Sequence, residues 1–241
     1  MIPKTIHYVW LGNKPKPKKI QKCIASWQKF CPDYEIKEWN ETNFDIESHP
    51  FVKEAYEANN YAFASDVIRL VVLYKFGGIY VDADVEFLKL IDDLLNNEAF
   101  IGFELPEYVN SGQILGSVAK NELIAEHLKQ YDGISFSECE NISDITCPKI
   151  FTKLLAEKGI RLDGSEQMID GLHIYPVDYF NPFDTMTGRL KKTKNTYSIH
   201  WSEHSWTNRS TIVRNFMRLC HRLFGINCFD WLKRLIGKRG C

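Results

Sequence analysis

Asp82 and Asp84 stand one residue apart at the end of an apolar run, Ile79-Tyr80-Val81, with Asp66 and Arg69 a short helix upstream. Two carboxylates flanking a small residue suit a hard divalent cation, which takes oxygen ligands and shares them with substrate phosphates. A nucleotide-sugar diphosphate is the kind of substrate such a site holds. A bare Asp-x-Asp also occurs on exposed surfaces. Here the pair closes a buried strand, where unpaired carboxylates are costly and a bound cation removes the cost.

Asp66 and Arg69 are three residues apart, so they can neighbour each other on one helix face. They read either as a surface ion pair or as donor contacts. In the second case Asp66 accepts from sugar hydroxyls, and Arg69 neutralises phosphate with its rigid donor fork. A second cluster is Ser198-Ile199-His200-Trp201 followed by His204-Ser205-Trp206. A lone histidine is commonly structural. Two histidines and two tryptophans close together after a strand can instead complete a manganese shell and cover a pyrophosphate or sugar. Trp10 is either a core aromatic or a stacking platform for a nucleobase. Asn110-Ser111-Gly112-Gln113 reads as a polar turn before a strand.

The elements that must position these groups follow from periodicity. Ile6 to Leu11 is β-prone and stops at Gly12; Ile20, Cys23, Ile24 and Trp27 recur at helical spacing; Tyr34 to Trp39 alternates as a second strand. This β–helix–β order opens an α/β sheet. A helix is expected from about Ala62 to Phe76, with Val67, Leu70, Val71 and Tyr74 on one face, ended by Gly77-Gly78. The next strand delivers Asp82 and Asp84 to the same side of an extended backbone, at the carboxyl end where open α/β sheets bind ligands. Further strands are expected at Phe100–Phe103, Gln113–Ser117, Leu172–Tyr175 and Tyr197–Trp201, and helices at Asn121–Gln130 and Pro148–Lys158. Tyr179 to Asn195 is turn-rich and basic.

Net charge is −1 over 241 residues, which gives the chain no nucleic-acid signature. Seven scattered cysteines without a Cys-x-x-Cys indicate neither zinc knuckle nor disulfide framework, and point to a reducing, cytoplasmic setting. Neither a secretory signal nor a membrane-spanning run is read. From Arg209 onward the net charge is +7, against −8 for the rest. Ile212, Phe216, Leu219 and Leu223 share one helical face, Arg214, Arg218 and Arg222 another, and a second amphipathic stretch follows Gly225. This basic extension (209–241) either packs on the catalytic domain (1–208) or forms a foot on an anionic membrane, at the inner face of the plasma membrane.

The motifs Ile2-Pro3-Lys4-Thr5-Ile6-His7-Tyr8-Val9-Trp10-Leu11-Gly12, Ala64 to Leu70, Gly77 to Asp84 and His200 to Trp206 together resemble glycosyltransferase family 32. The resemblance implies a GT-A fold, a Rossmann-like α/β domain with a mixed central sheet. It also implies a nucleotide-sugar donor (UDP- or GDP-linked), manganese or magnesium as cofactor, and retention of anomeric configuration. It assigns Trp10 to the base, Asp66 and Arg69 to the donor sugar and phosphate, and Asp82 to ribose and metal. Asp84 becomes a direct metal ligand, with His200 or His204 as a further one. Ser205 and Trp206 cover the diphosphate, and Asn110 approaches the donor sugar. The expected product is a capsular or other surface polysaccharide, built on a glycan or lipid-linked oligosaccharide acceptor. Two other classes stay open: a metal-dependent nucleotidyl- or phosphotransferase, for which no Gly-rich phosphate loop is present, and a non-catalytic nucleotide-sugar-binding protein.

Overall fold

The computed structural model describes residues 1–202 and 211–229. In chain order the elements are β1 (Thr5–Val9), α1 (Lys18–Phe30), β2 (Glu35–Trp39), α2 (Pro50–Glu57), α3 (Tyr61–Phe76), β3 (Gly78–Tyr80), β4 (Val85–Phe87), β5 (Ala99–Leu105), β6 (Tyr108–Val109) and β7 (Leu115–Ser117). They continue with α4 (Glu122–Lys129), α5 (Cys147–Glu157), β8 (Gln167–Ile169), β9 (Leu172–Tyr175), α6 (Val177–Phe180), β10 (Phe183–Asp184), β11 (Arg189–Leu190), β12 (Ser198–His200) and α7 (Thr211–Phe224). Among the described residues, the strands and helices expected from periodicity up to α7 are present near their expected places.

The main sheet runs β2-β1-β3-β7-β5-β9-β8, with β6 paired to β5. It is mixed. β1 is parallel to both β2 and β3, and β5 is parallel to β9, whereas β7 runs antiparallel to β3 and β5. Side chains alternate across it, as strand geometry demands. Ile6, Ile79, Phe100 and Ile114 join one core with Ile20 and Trp27 of α1. Tyr80, Ile101, Phe103 and Leu115 join the other with α2, α3, α4 and α5. Trp27 locks α1 in place by donating its indole N–H to the Val85 carbonyl at 2.7 Å.

Two sequence expectations are corrected here. α3 is not a one-faced helix. Residues 63–70 are all buried, while Tyr74, expected on the apolar face, is 39% exposed. The helix sits between the sheet and α2 and α4, so its polar Asp66 and Arg69 go inside with the aliphatics. The second correction concerns Asp82 to Asp84, which is not extended strand. The Val85 N–H donates to the Asp82 carbonyl at 3.0 Å, closing a turn between β3 and β4.

Gly77 and Gly78 have φ of +65° and +102°, and a Cβ on Gly78 would lie 2.8 Å from His7 Nε2. His7 accepts from the Trp39 indole at Nδ1 and therefore donates from Nε2 to the Gly77 carbonyl at 3.0 Å. Burial pulls its pKa down to about 4. His127 in α4 is also fully buried, stacked 3.9 Å from the Phe151 ring, and burial with the nearby Arg69 charge lowers it to about 3. A histidine depressed in the folded state contributes stability above its unfolded pKa and loses it as pH falls. His127→Phe should therefore flatten the acid limb, removing on the order of 1 kcal/mol of destabilisation per pH unit between about 6 and 4. Urea unfolding at pH 7 and pH 5 measures this; equal slopes in both proteins would refute it.

α7 lies on the β10–β11 hairpin. The sequence left open whether it packs on the domain, and pictured solvated arginines if it did. Instead Arg218 and Arg222 donate to carbonyls of Thr185, Thr187 and Gly188.

Candidate functional site

Four elements bring their ends to one edge of the sheet. Trp10 follows the C-terminal end of β1, and Asp82 follows β3, which runs parallel to it. β7 is antiparallel, so the turn before it, 110–113, reaches the same edge. β12 pairs with β4, placing His200 opposite Val85 and beside Asp84. Together they wall a cavity of about 880 Å³, whose lining includes Trp10, Asp66, Arg69, Asp82, Asp84, Asn110 and His200. This is the volume range of small-molecule sites.

Asp82, Asp84 and His200 each offer a ligand atom, and these atoms lie within 4.8 Å of one another. His200 Nε2 is 3.4 Å from Asp84 Oδ1 and 4.0 Å from Asp82 Oδ2. Burial opposes a charge on His200, but Asp84 and Asp82 outweigh it and lift its pKa to about 9. The same field that holds a proton there would hold a dication. The two carboxylates supply the oxygen ligands that manganese or magnesium takes, and the imidazole adds a nitrogen donor that suits the transition metal better.

Arg69 organises the floor of the cavity. It is 2% exposed. Its Nη2 pairs with Asp66 at 2.8 Å and Asp82 at 3.1 Å, and also donates to Ser65 Oγ at 3.3 Å. Its Nη1 donates to Ser111 Oγ at 3.1 Å and to Cys147 Sγ at 3.3 Å. The Tyr80 hydroxyl donates to the same Asp82 oxygen at 2.9 Å. Burial works against the guanidinium charge, but the carboxylates of Asp82 and Asp66 keep it protonated. Burial pushes Asp66 up to about 6 despite Arg69. One oxygen of Asp82 is thus held by Arg69 and Tyr80, while the other faces His200.

Several participants escaped the sequence reading. Ser65, Tyr80, Ser111 and Cys147 hold Arg69 or Asp82, and hydroxyl residues flanking the motif acids were the only cue. Ser202, buried with φ of +46° and no hydrogen-bond partner for its Oγ among the described residues, lines the cavity just past His200. Gly112 is the least obvious. Its carbonyl accepts from Asp82 N–H at 2.7 Å, and a Cβ there would stand 2.3 Å from Asp82 Oδ2. Gly112→Ala should therefore displace that carboxylate. We expect a fall in metal affinity of about 10–100-fold, the size of effect seen when groups supporting metal ligands are lost. Titration with manganese, read by electron paramagnetic resonance, tests it; wild-type affinity would contradict the geometry.

Asn110 is buried, its Oδ1 accepting from Gly112 N–H at 2.7 Å. Trp10 is half-buried, with its indole N–H on the Lys14 carbonyl. His204, Ser205 and Trp206 lie outside the described residues, as does the second amphipathic stretch beyond 229.

Residues 17–101 match the family model described as a glycosyltransferase sugar-binding region containing a DXD motif. Among curated relatives, inositol phosphoceramide mannosyltransferase 3 of Schizosaccharomyces pombe is 28% identical over 144 residues, covering 56% of this chain and 39% of that protein. The chain therefore spans about two fifths of that relative's length. An uncharacterized glycosyltransferase of Acanthamoeba polyphaga mimivirus is 24% identical over 244 residues, covering 93% of this chain and 91% of that protein. Among solved structures, PaToxG glycosyltransferase superposes with a TM-score of 0.54 at 23% identity, covering 66% of this chain and 70% of that one. The segment carrying Asp66, Arg69, Asp82 and Asp84 thus matches the DXD-containing glycosyltransferase sugar-binding region, and the fold around it is GT-A.

Proposed function

We propose that the protein is a retaining, metal-dependent hexosyltransferase that moves a sugar from a nucleotide diphosphate to a glycan or lipid-linked acceptor. The observation that carries this reading is the convergence of Asp82, Asp84 and His200 within 4.8 Å on the wall of a cavity large enough for a nucleotide sugar. These three residues would hold manganese or magnesium, which supplies Lewis-acid stabilisation of the departing diphosphate. Asp66 receives the donor sugar hydroxyls. Arg69, with both terminal nitrogens already engaged, acts as a positioning residue that holds Asp66 and Asp82 side by side. Trp10 stacks on the base, and Asn110 orients the sugar near its reacting carbon. For Ser205 and Trp206 the family resemblance is what suggests a role at the diphosphate. The acceptor hydroxyl enters on the face from which the diphosphate leaves, and no protein nucleophile is required.

The relatives' names point to mannose as the first sugar to try and to a lipid-borne acceptor. The product we infer is a capsular or other surface glycan, assembled in the cytoplasm at the inner face of the plasma membrane. One experiment tests the core of the reading. The protein is incubated with manganese and a panel of UDP- and GDP-sugars, and free nucleotide diphosphate is measured. Release from one sugar nucleotide supports transfer. Release of sugar 1-phosphate favours the nucleotidyltransferase alternative, and binding without turnover favours the non-catalytic one.

A further inference from the structure

α7 is docked with its polar side inward. Arg218 Nε donates to the Thr185 carbonyl at 3.1 Å, Arg222 Nη2 to the Gly188 carbonyl at 2.9 Å, and His221 Nδ1 to the Met186 carbonyl at 3.0 Å. The Arg218 guanidinium also lies 5.2 Å from the centre of the Phe183 ring. The apolar side faces out. Phe216, Leu219 and Leu223, spaced at helical intervals, are 61%, 51% and 66% exposed, and Val213, Phe224 and Ile226 extend the exposed stripe. Isolated surface leucines need no explanation, but a contiguous apolar stripe on one helix marks an interaction surface.

The surrounding charge selects the partner. The hairpin beneath α7 runs straight into Arg189, Lys191, Lys192 and Lys194, all exposed, with Met186 and Leu190 exposed among them. An apolar stripe bordered by cations complements an anionic lipid surface. It does not complement itself, since a two-fold pairing of this face would set the same cations against each other. We propose that α7 and the adjoining segment 189–194 form a docking surface for an anionic bilayer. Phe216, Leu219 and Leu223 enter the headgroup–acyl boundary, and the hairpin cations meet lipid phosphates. Arg218 and Arg222 fix the helix to the protein rather than to lipid. This deepens the reading of a lipid-linked acceptor, on which it rests for its purpose though not for its test. No described helix is long and apolar enough to cross a membrane, so attachment here is in the interface plane.

The test is flotation of the full chain with zwitterionic vesicles, and with vesicles containing about a third anionic lipid. The wild type should float with the anionic vesicles. Phe216→Glu/Leu223→Glu, both at exposed positions, should weaken binding about tenfold or more, and Lys191→Glu/Lys192→Glu should weaken it and abolish its salt dependence. Circular dichroism should show both variants folded. Undiminished binding by the Phe216→Glu/Leu223→Glu variant would overturn the proposal, as would failure of the wild type to bind. So would a dimer in light scattering that the same variant dissociates, because a second copy would then occupy the face. Diphosphate release measured without vesicles is read in parallel. Vesicle binding without turnover refutes the transfer reading alone, and turnover without vesicle binding refutes the docking surface alone.

Discussion

Asp84→Asn should lower sugar transfer by roughly 10³-fold or more and leave a folded protein. The amide fills the same volume at the wall of the cavity but offers the cation a neutral oxygen in place of a charge. Removing the Asp84 charge also removes the strongest of the charges that lift His200 to about 9. A histidine raised in this way contributes stability that is fully present below its unfolded pKa and lost as pH rises through about 9. The substitution should therefore cost some stability in the metal-free protein near pH 6, and less near pH 10. Metal provides a second readout. Manganese should raise the melting temperature of the wild type, because a ligand that binds only the folded state stabilises it by mass action, and should barely move that of the variant. Turnover within about tenfold of wild type, at the same manganese dependence, would show that Asp84 is not a ligand.

Arg69→Met should damage both stability and activity, which separates it from Asp84→Asn. Arg69 is buried with Asp66 at 2.8 Å and Asp82 at 3.1 Å. Breaking a buried ion pair by removing one partner typically costs about 3–5 kcal/mol, because the remaining charges stay buried without compensation. The variant should also change its response to pH. Burial already pushes Asp66 up to about 6 in the presence of Arg69. Without the guanidinium this carboxyl rises further. A carboxyl raised in the folded state favours folding as pH falls below its folded pKa, so Arg69→Met should be more stable near pH 5.5 than near pH 7.5. Adding Asp66→Asn should recover part of the stability at pH 7.5 without recovering transfer. Urea midpoints across this range decide the matter. Wild-type stability at pH 7.5 would mean that Arg69 does not hold these carboxylates together.

The sequence by itself determined the elements and their local pairings. Alternation and helical spacing marked β1, α1, β2, β5, β9 and α5 because a strand repeats every two residues and a helix about every 3.6. The pairing of Asp66 with Arg69 was legible for the same reason, since three residues make one turn of helix. The arrival of Asp82 and Asp84 at a sheet edge was legible from the apolar run before them. The tertiary structure decided whatever depended on residues far apart in the chain. His200 meets Asp84 only because β12 pairs with β4 in a particular register. Gly112 touches Asp82 only because β7 runs antiparallel to β3. α3 is buried on nearly every side because helices pack on it as well as the sheet, which a single apolar stripe cannot announce. The orientation of α7 was equally hidden. Periodicity separates its apolar face from its arginine face, but unsatisfied carbonyls at 185–188 determine which one turns inward. Local spacing records which residues share a surface; only long-range packing and hydrogen bonding determine what that surface meets.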